Sequence, residues 1–296
     1  MLRRHKRVPV AIAAAGTLVS MLALGPATTA VAAPTWRTHV CHGTIRHPGE
    51  LRGLSLDVIV RGLCLVRSGP VAISRNIIIM PHSALVAAFG RHDTHINLAG
   101  NIFIHKAGTL ILGCNPKSFP CLDDPRPKRP SLISRDHVGG SIFATDALGV
   151  VVHSAWIGRN VRQLGGGGGV TCKPHGAFAH FHGPAYSTWE DNRIGGSIWV
   201  RHVHSCWLGV IRNWIGVSAT VSRNKMKDPD EMEVVTNIVR QDLTCWRNSP
   251  KVQFGDSHGH PNRVGLHAFF ECGFHRIIPN PSGQHVHFAH VSVHLH

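Results

Sequence analysis

Carboxylates are scarce in this chain. Its 296 residues hold 16 Asp and Glu against 31 Lys and Arg, a formal charge of +15 before any of the 24 histidines titrates. Carbohydrate-cleaving enzymes need acids paired at a defined separation, or several acids around a hard cation. Only Asp228, Asp230, Glu231 and Glu233 cluster in that way, and Asp228-Pro229-Asp230 reads equally as a turn. No two cysteines are spaced Cys-x-x-Cys, which argues against a zinc–thiolate site. Beyond residue 24 no apolar run reaches the roughly 20 residues that span a bilayer. No nucleic-acid motif accompanies the positive charge. No Thr-x-Thr ladder of the kind an ice-binding face needs is present.

What is present begins with a leader. Arg3, Arg4, Lys6 and Arg7 precede an apolar stretch from Val8 to Leu24, and Ala30-Val31-Ala32-Ala33 offers small residues for cleavage. Residues 1–33 therefore read as a secretory signal peptide, and the expected location is extracellular, with wall association compatible. Removing its four basic residues from +15 leaves +11. A charge of that size favours anionic partners such as wall polymers or acidic polysaccharides. Eight cysteines follow the leader: Cys41, Cys64, Cys114, Cys121, Cys172, Cys206, Cys245 and Cys272. An even count in an exported chain reads as disulfides.

One motif recurs: an apolar residue, two spacers, then Asn, Ser or Asp, then an apolar strand. Its copies start at Ile73, Leu98, Val138, Ile157, Ile194, Ile215 and Val239, and place the polar residue at 76, 101, 141, 160, 197, 218 and 242. Four of the gaps are 25, 19, 21 and 24 residues; those of 40 and 37 are a coil plus an inserted loop. Such periods signal a solenoid. A second apolar strand starts nine residues after the polar one, at Leu85, Leu110 and Val150. Ser55 fits as an earlier copy. Because side chains alternate along a strand, Ile77/Ile79, Ile102/Ile104, Ile198/Val200 and Leu243/Cys245 should point inward and the polar column should sit at a corner. The expected fold is an all-β, right-handed parallel β-helix over 34–274, with two long loop insertions and a His-rich tail at 275–296. Cys64 and Cys206 fall on the second-strand column, and sequential pairing is expected: 41–64, 114–121, 172–206 and 245–272.

Several stretches carry a resemblance. They are Gly165-Gly-Gly-Gly-Gly-Val-Thr-Cys172, Ser205-Cys-Trp-Leu-Gly-Val-Ile-Arg-Asn213, Asp228-Pro-Asp through Glu233-Val-Val-Thr-Asn237, Cys245-Trp-Arg-Asn-Ser-Pro250, and Phe254-Gly-Asp-Ser257 with Pro261-Asn262. With these the chain resembles the exported right-handed parallel β-helix repeat proteins of actinobacteria, from about Cys41 to Phe274. The resemblance implies fold and export, not a reaction. Arg75, Arg159, Arg223 and Leu266 stand where that pattern has glycine, which predicts irregular coils there.

Chemistry-bearing candidates are few. Gly255-Asp256-Ser257-His258-Gly259 resembles the nucleophile segment of trypsin-like proteases, but without a base and orienting acid it reads as a turn, and no catalytic residue is assigned. His175, His180 and His182, and His285 and His287 in the tail, are candidate metal ligands, since imidazole suits late transition metals. The outward strip Ile78, Phe103, Phe143, Arg162, Trp199, Thr220, Thr244 offers a polymer-binding surface, for which Phe103, Phe143, Arg162, Trp199 and Arg201 are the candidates. The inserts at 115–130 and 165–192 are the expected cover for it. The sequence reading is a secreted, non-enzymatic binding or structural protein for anionic polysaccharide, with no cofactor and no nucleic acid. A polysaccharide lyase or hydrolase on the same fold, or extracellular metal capture through histidine, is the alternative.

Overall fold

The computed structural model describes residues 36–88, 94–113, 135–180, 183–254 and 259–273. The leader, the pair Cys114–Cys121, His182, residues 255–258 and the tail with His285 and His287 lie outside them.

The chain is a parallel β-helix. Each coil gives one short strand to each of three faces. Val71–Ile73, Ile77–Ile79 and Ala84–Ala87 make one coil; Ile96–Leu98, Ile102–Ile104 and Thr109–Leu112 make the next. We call these the third, first and second faces, in that order along the coil. Strands of successive coils pair in parallel on all three, as in Val71↔Ile96, Ile77↔Ile102 and Ala84↔Thr109. The first and second faces form one continuous 17-stranded sheet, because Val58–Leu65 rounds the corner between them unbroken.

The sequence reading of two strands per coil was one short. The missing strand is the motif's own apolar residue with its neighbour. Ile73, Leu98, Val138, Ile157, Ile194, Ile215 and Val239 stack in register on the third face and are all buried. These strands run two or three residues, too short to show an alternation. The predicted inward pairs on the first face are 0–2% exposed. Inside the barrel, the buried first-face Gln163 accepts from the indole of second-face Trp189 at 3.1 Å and donates to Ser187 at 2.8 Å. A short inward polar network thus satisfies the Trp189 ring.

The recurring polar residues form the expected corner column. The side chain of each accepts from the backbone N–H of the next: Asn101 N–H to Asn76 at 3.1 Å, Ser141 to Asn101 at 2.8 Å, Asn160 to Ser141 at 3.1 Å, Ser197 to Asn160 at 2.9 Å, Ser218 to Ser197 at 3.3 Å and Asp242 to Ser218 at 3.4 Å. The earlier copy is Asp57, not Ser55: Asp57 accepts from Asn76 N–H at 3.1 Å, while Ser55 pairs with Ile73 on the third face. Val58–Leu65 turns its corner with two residues fewer than later coils, which misled the alignment. Arg75, Arg159 and Leu266 do not break the coils, because their positions keep negative φ and paired neighbours. Arg223 does adopt φ 57°, among several non-glycine corner residues that do so.

Three of the four sequential disulfides are seen: Cys41–Cys64, Cys172–Cys206 and Cys245–Cys272. Cys206 is not in the second-strand column. Leu208 occupies that position, opposite Ser187. The extra strand His204–Ser205, paired with Lys225–Met226, accompanies a corner two residues longer before Leu208 and five residues longer before Met232. Cys206 therefore sits outside the barrel, where Cys172 reaches it from the second insert.

Two further ladders were not foreseen. Asn192, Asn213, Asn237 and Asn262 stack at the corner between second and third faces, and Asn224, Asn248 and Glu271 at the corner between first and second. Here the polarity is reversed: the backbone N–H of each residue donates to the side chain of the following coil.

Candidate functional site

Position on a face decides what each side chain can do. On the first face the predicted strip is in register, Ile78–Phe103–Phe143–Arg162–Trp199–Thr220–Thr244. Phe103 and Phe143 are half-buried and stacked, with centroids 5.5 Å apart and planes 13° from parallel. Arg162 is exposed, and Arg201 donates to Ser222 at 3.1 Å. The second insert does not cover this strip. Its buried Phe178 and Tyr186 pack with Leu148, Val151, Ile211 and Val235, the outer side of the second face. That is why second-face strands such as Gly149–His153 and Leu208–Ile211 are buried at every position. The 115–130 insert lies outside the described residues.

A second, more exposed strip runs along the third face: Asn97, His137, Trp156, Arg193, Trp214, Ile238, Arg263. Trp156 is 40% exposed. His137 stacks on it with centroids 4.2 Å apart and planes 9° from parallel, and the Arg193 guanidinium lies 4.9 Å over the Trp214 ring. These partners sit on adjacent coils, so the ring faces look along the helix axis and the ring edges face solvent. Those edges carry the positive end of the ring quadrupole. Beside the strip runs a floor of small residues. A Cβ on Gly158 or Gly195 would strike the carbonyl of the preceding coil, so the tight corner keeps them glycine. This strip was not foreseen, although the residues before Val138, Ile157, Ile194 and Ile215 were visible as His, Trp, Arg and Trp.

The acidic residues lie elsewhere. Asp228, Asp230 and Glu233 are buried, and Asp230 N–H donates to Asp228 at 3.2 Å, consistent with the turn reading. The convergent cluster among the described residues is instead His153, Glu190 and Asp191, whose ligand atoms all lie within 4.8 Å of one another. Three successive coils supply it, the third through Arg212. Asp191 bonds His153 Nε2 at 2.7 Å, and Arg212 donates to both Asp191 oxygens at 2.8 and 2.9 Å. Glu190 is fully buried, accepts from Thr188 at 2.5 Å and lies 3.5 Å from Arg212. These donors have the chemistry of a metal site, but the guanidinium already provides the counter-charge. The cluster reads as a closed ion-pair network. Its signal, Glu190-Asp191 at a strand end, was legible only once the second face was placed.

Burial disfavours the charged His153 ring, yet the bond to Asp191 and the charges of Glu190 and Asp191 outweigh it and hold the imidazole above its usual 6.5. Burial likewise works against the Asp191 carboxylate, but the bonds from His153 and Arg212 pull it below its usual 3.8. Linkage fixes the sign. The His153 contribution is complete below 6.5 and is lost as pH rises through the elevated value. The Asp191 contribution is complete above 3.8 and is lost as pH falls through the depressed one. The stability difference between native protein and His153→Gln should therefore be largest between those two values and shrink towards alkaline pH. Urea midpoints of both proteins across that range measure it; a difference that grows with pH would contradict the assignment.

His175 and His180 lie on the second insert, just before the start and at the end of the helix Gly176–His180. With His82 they line a cleft of about 320 Å³ beside Thr109 and Leu148. They do not join a three-ligand group among the described residues.

These features define a parallel β-helix protein with a basic, ring-edged face and a buried ion-pair network. No protein-family model, curated protein or solved structure matches the chain.

Proposed function

We propose that this is an exported, non-enzymatic binding protein that engages an anionic surface polymer along its third face. The observation that supports it most directly is the separation of charge. The outward third-face column and the two small-residue columns beside it hold Arg75, His137, Arg159, Arg193, Arg240 and Arg263, and no carboxylate from Leu54 to Leu266. Of those five arginines only Arg75 forms an ion pair among the described residues, with Asp57 at 3.5 Å. Convergent acids gather instead on the second face. A one-signed face concentrates anionic partners and speeds their capture. With ring edges outward, the face favours carboxylate, sulfate or phosphate over the flat stacking of a neutral sugar. The three disulfides fit an oxidising, extracellular setting. The first-face strip with Phe103, Phe143 and Trp199 is the second candidate surface, set one corner away.

Binding should be electrostatic and therefore steeply weakened by salt, since exposed charges are screened over about 8–10 Å at physiological ionic strength. A panel of anionic and neutral polysaccharides, titrated from low to high salt, provides the test. Retention of an anionic polymer should fall with salt and with Arg159→Ala/Arg193→Ala. Binding of neutral polymers with no salt response would remove the reading.

A further inference from the structure

The spacing of the third-face cations narrows the ligand, on the footing that this face binds an anionic polymer. The six successive coils that begin at His137, Trp156, Arg193, Trp214, Ile238 and Arg263 are in register. Five of them place a basic side chain on the track: His137, Arg159, Arg193, Arg240 and Arg263. Parallel strands lie about 4.8 Å apart, so the track offers close to one basic group per coil step. The exception is the Trp214 coil, which presents Trp214, Gly216 and Val217. Arg193 leans toward that gap, its guanidinium over the Trp214 ring, where cation–π attraction holds it in place. Arg193 and Arg159 flank the small-residue floor formed by Gly158, Gly195 and Gly216, which is open over those three coils, and Arg240 stands in the floor column itself, one coil beyond Gly216.

We infer that the third face binds a linear polymer with one anionic group per monomer, laid parallel to the solenoid axis with its monomers in step with the coils. A pyranose in an extended chain advances by nearly one coil step, so a polyuronate meets the requirement. A polymer charged on alternate sugars would leave every second cation without a partner. A polymer crossing the axis would meet only one or two of the five.

Two probes separate these cases: polygalacturonate, with a carboxylate on every sugar, and hyaluronan, with one on every second sugar. Both are titrated into the disulfide-intact protein at low salt, with tryptophan fluorescence and calorimetry as readouts. An exposed ion pair is worth a factor of about three in affinity. Polygalacturonate should bind about ten-fold more tightly than hyaluronan, and Arg193→Ala/Arg240→Ala should cost it about ten-fold. The decisive variant is Val217→Arg, which fills the gap coil. It should tighten polygalacturonate about three-fold and leave hyaluronan little changed. Thermal melts equal to the parent confirm that these surface variants fold. If both polymers bind alike and Val217→Arg improves neither, the spacing inference fails while the anionic-polymer reading stands. If neither polymer binds, or Arg193→Ala/Arg240→Ala changes nothing, the third-face reading itself fails.

Discussion

Replacing Asn213 by alanine should destabilise the protein by about 4 kcal/mol, from two or three buried polar groups left unpaired at ~1–3 kcal/mol each. The side chain accepts from Asn192 N–H and Nδ2 at 3.0 Å, and donates to the Trp189 carbonyl at 2.6 Å and to Asn237 at 3.0 Å. All four residues are at most 2% exposed, so water cannot take over the lost bonds. Because each ladder residue polarises the next, the loss should spread to the neighbouring coils. Denaturant titration gives the magnitude. Hydrogen exchange at the Asn192 amide gives the mechanism: it should accelerate in Asn213→Ala more than at first-face amides of the same coil. A loss under about 1 kcal/mol would mean that the ladder contributes no more than an ordinary exposed hydrogen bond.

Arg212→Met should be comparably severe. Removing one partner of a buried ion-pair network typically costs about 3–5 kcal/mol, because the remaining charge stays in a poorly solvated site. Here Asp191 would keep only His153, and Glu190, with no exposure of its own, would lose its nearby cation. The triple variant Arg212→Met/Glu190→Gln/Asp191→Asn isolates the cause. If uncompensated charge is responsible, the triple variant recovers most of the stability. If it is no better than Arg212→Met, the arginine stem's packing is what matters. Urea midpoints of the three proteins decide it.

The first face and its ladder could be read from sequence, because their residues repeat at fixed offsets from one another. Asn76, Asn101 and Ser141 precede inward isoleucines, so polarity and burial reinforce one signal. The asparagines at 192, 213 and 237 repeat just as regularly, but each stands before a strand of only two residues, with no alternation to mark it. Cys206 was misplaced for a related reason: counting from Ser197 assumes a constant corner, and His204–Ser205 adds two residues there. The His153–Glu190–Asp191–Arg212 cluster was hidden more deeply. Its members are 37, 1 and 21 residues apart in successive steps, and only the stacking of three coils turns them into neighbours. The insert could be located but not docked, since the apolar outer side of the second face is indistinguishable in sequence from its apolar inner side.

The three ladders share one property between the coils of Asn192 and Asn213. Asn192 to Asn213, Ser197 to Ser218 and Val203 to Asn224 are each separated by 21 residues. A 21-residue segment is therefore an interchangeable module: copied in tandem, it would extend all three hydrogen-bonded columns at once, and each coil depends chiefly on its immediate neighbours. Duplication by unequal recombination would lengthen the body by one strand spacing without disturbing any corner. Length in such a molecule is a quantity that selection can adjust in uniform increments, counted in modules.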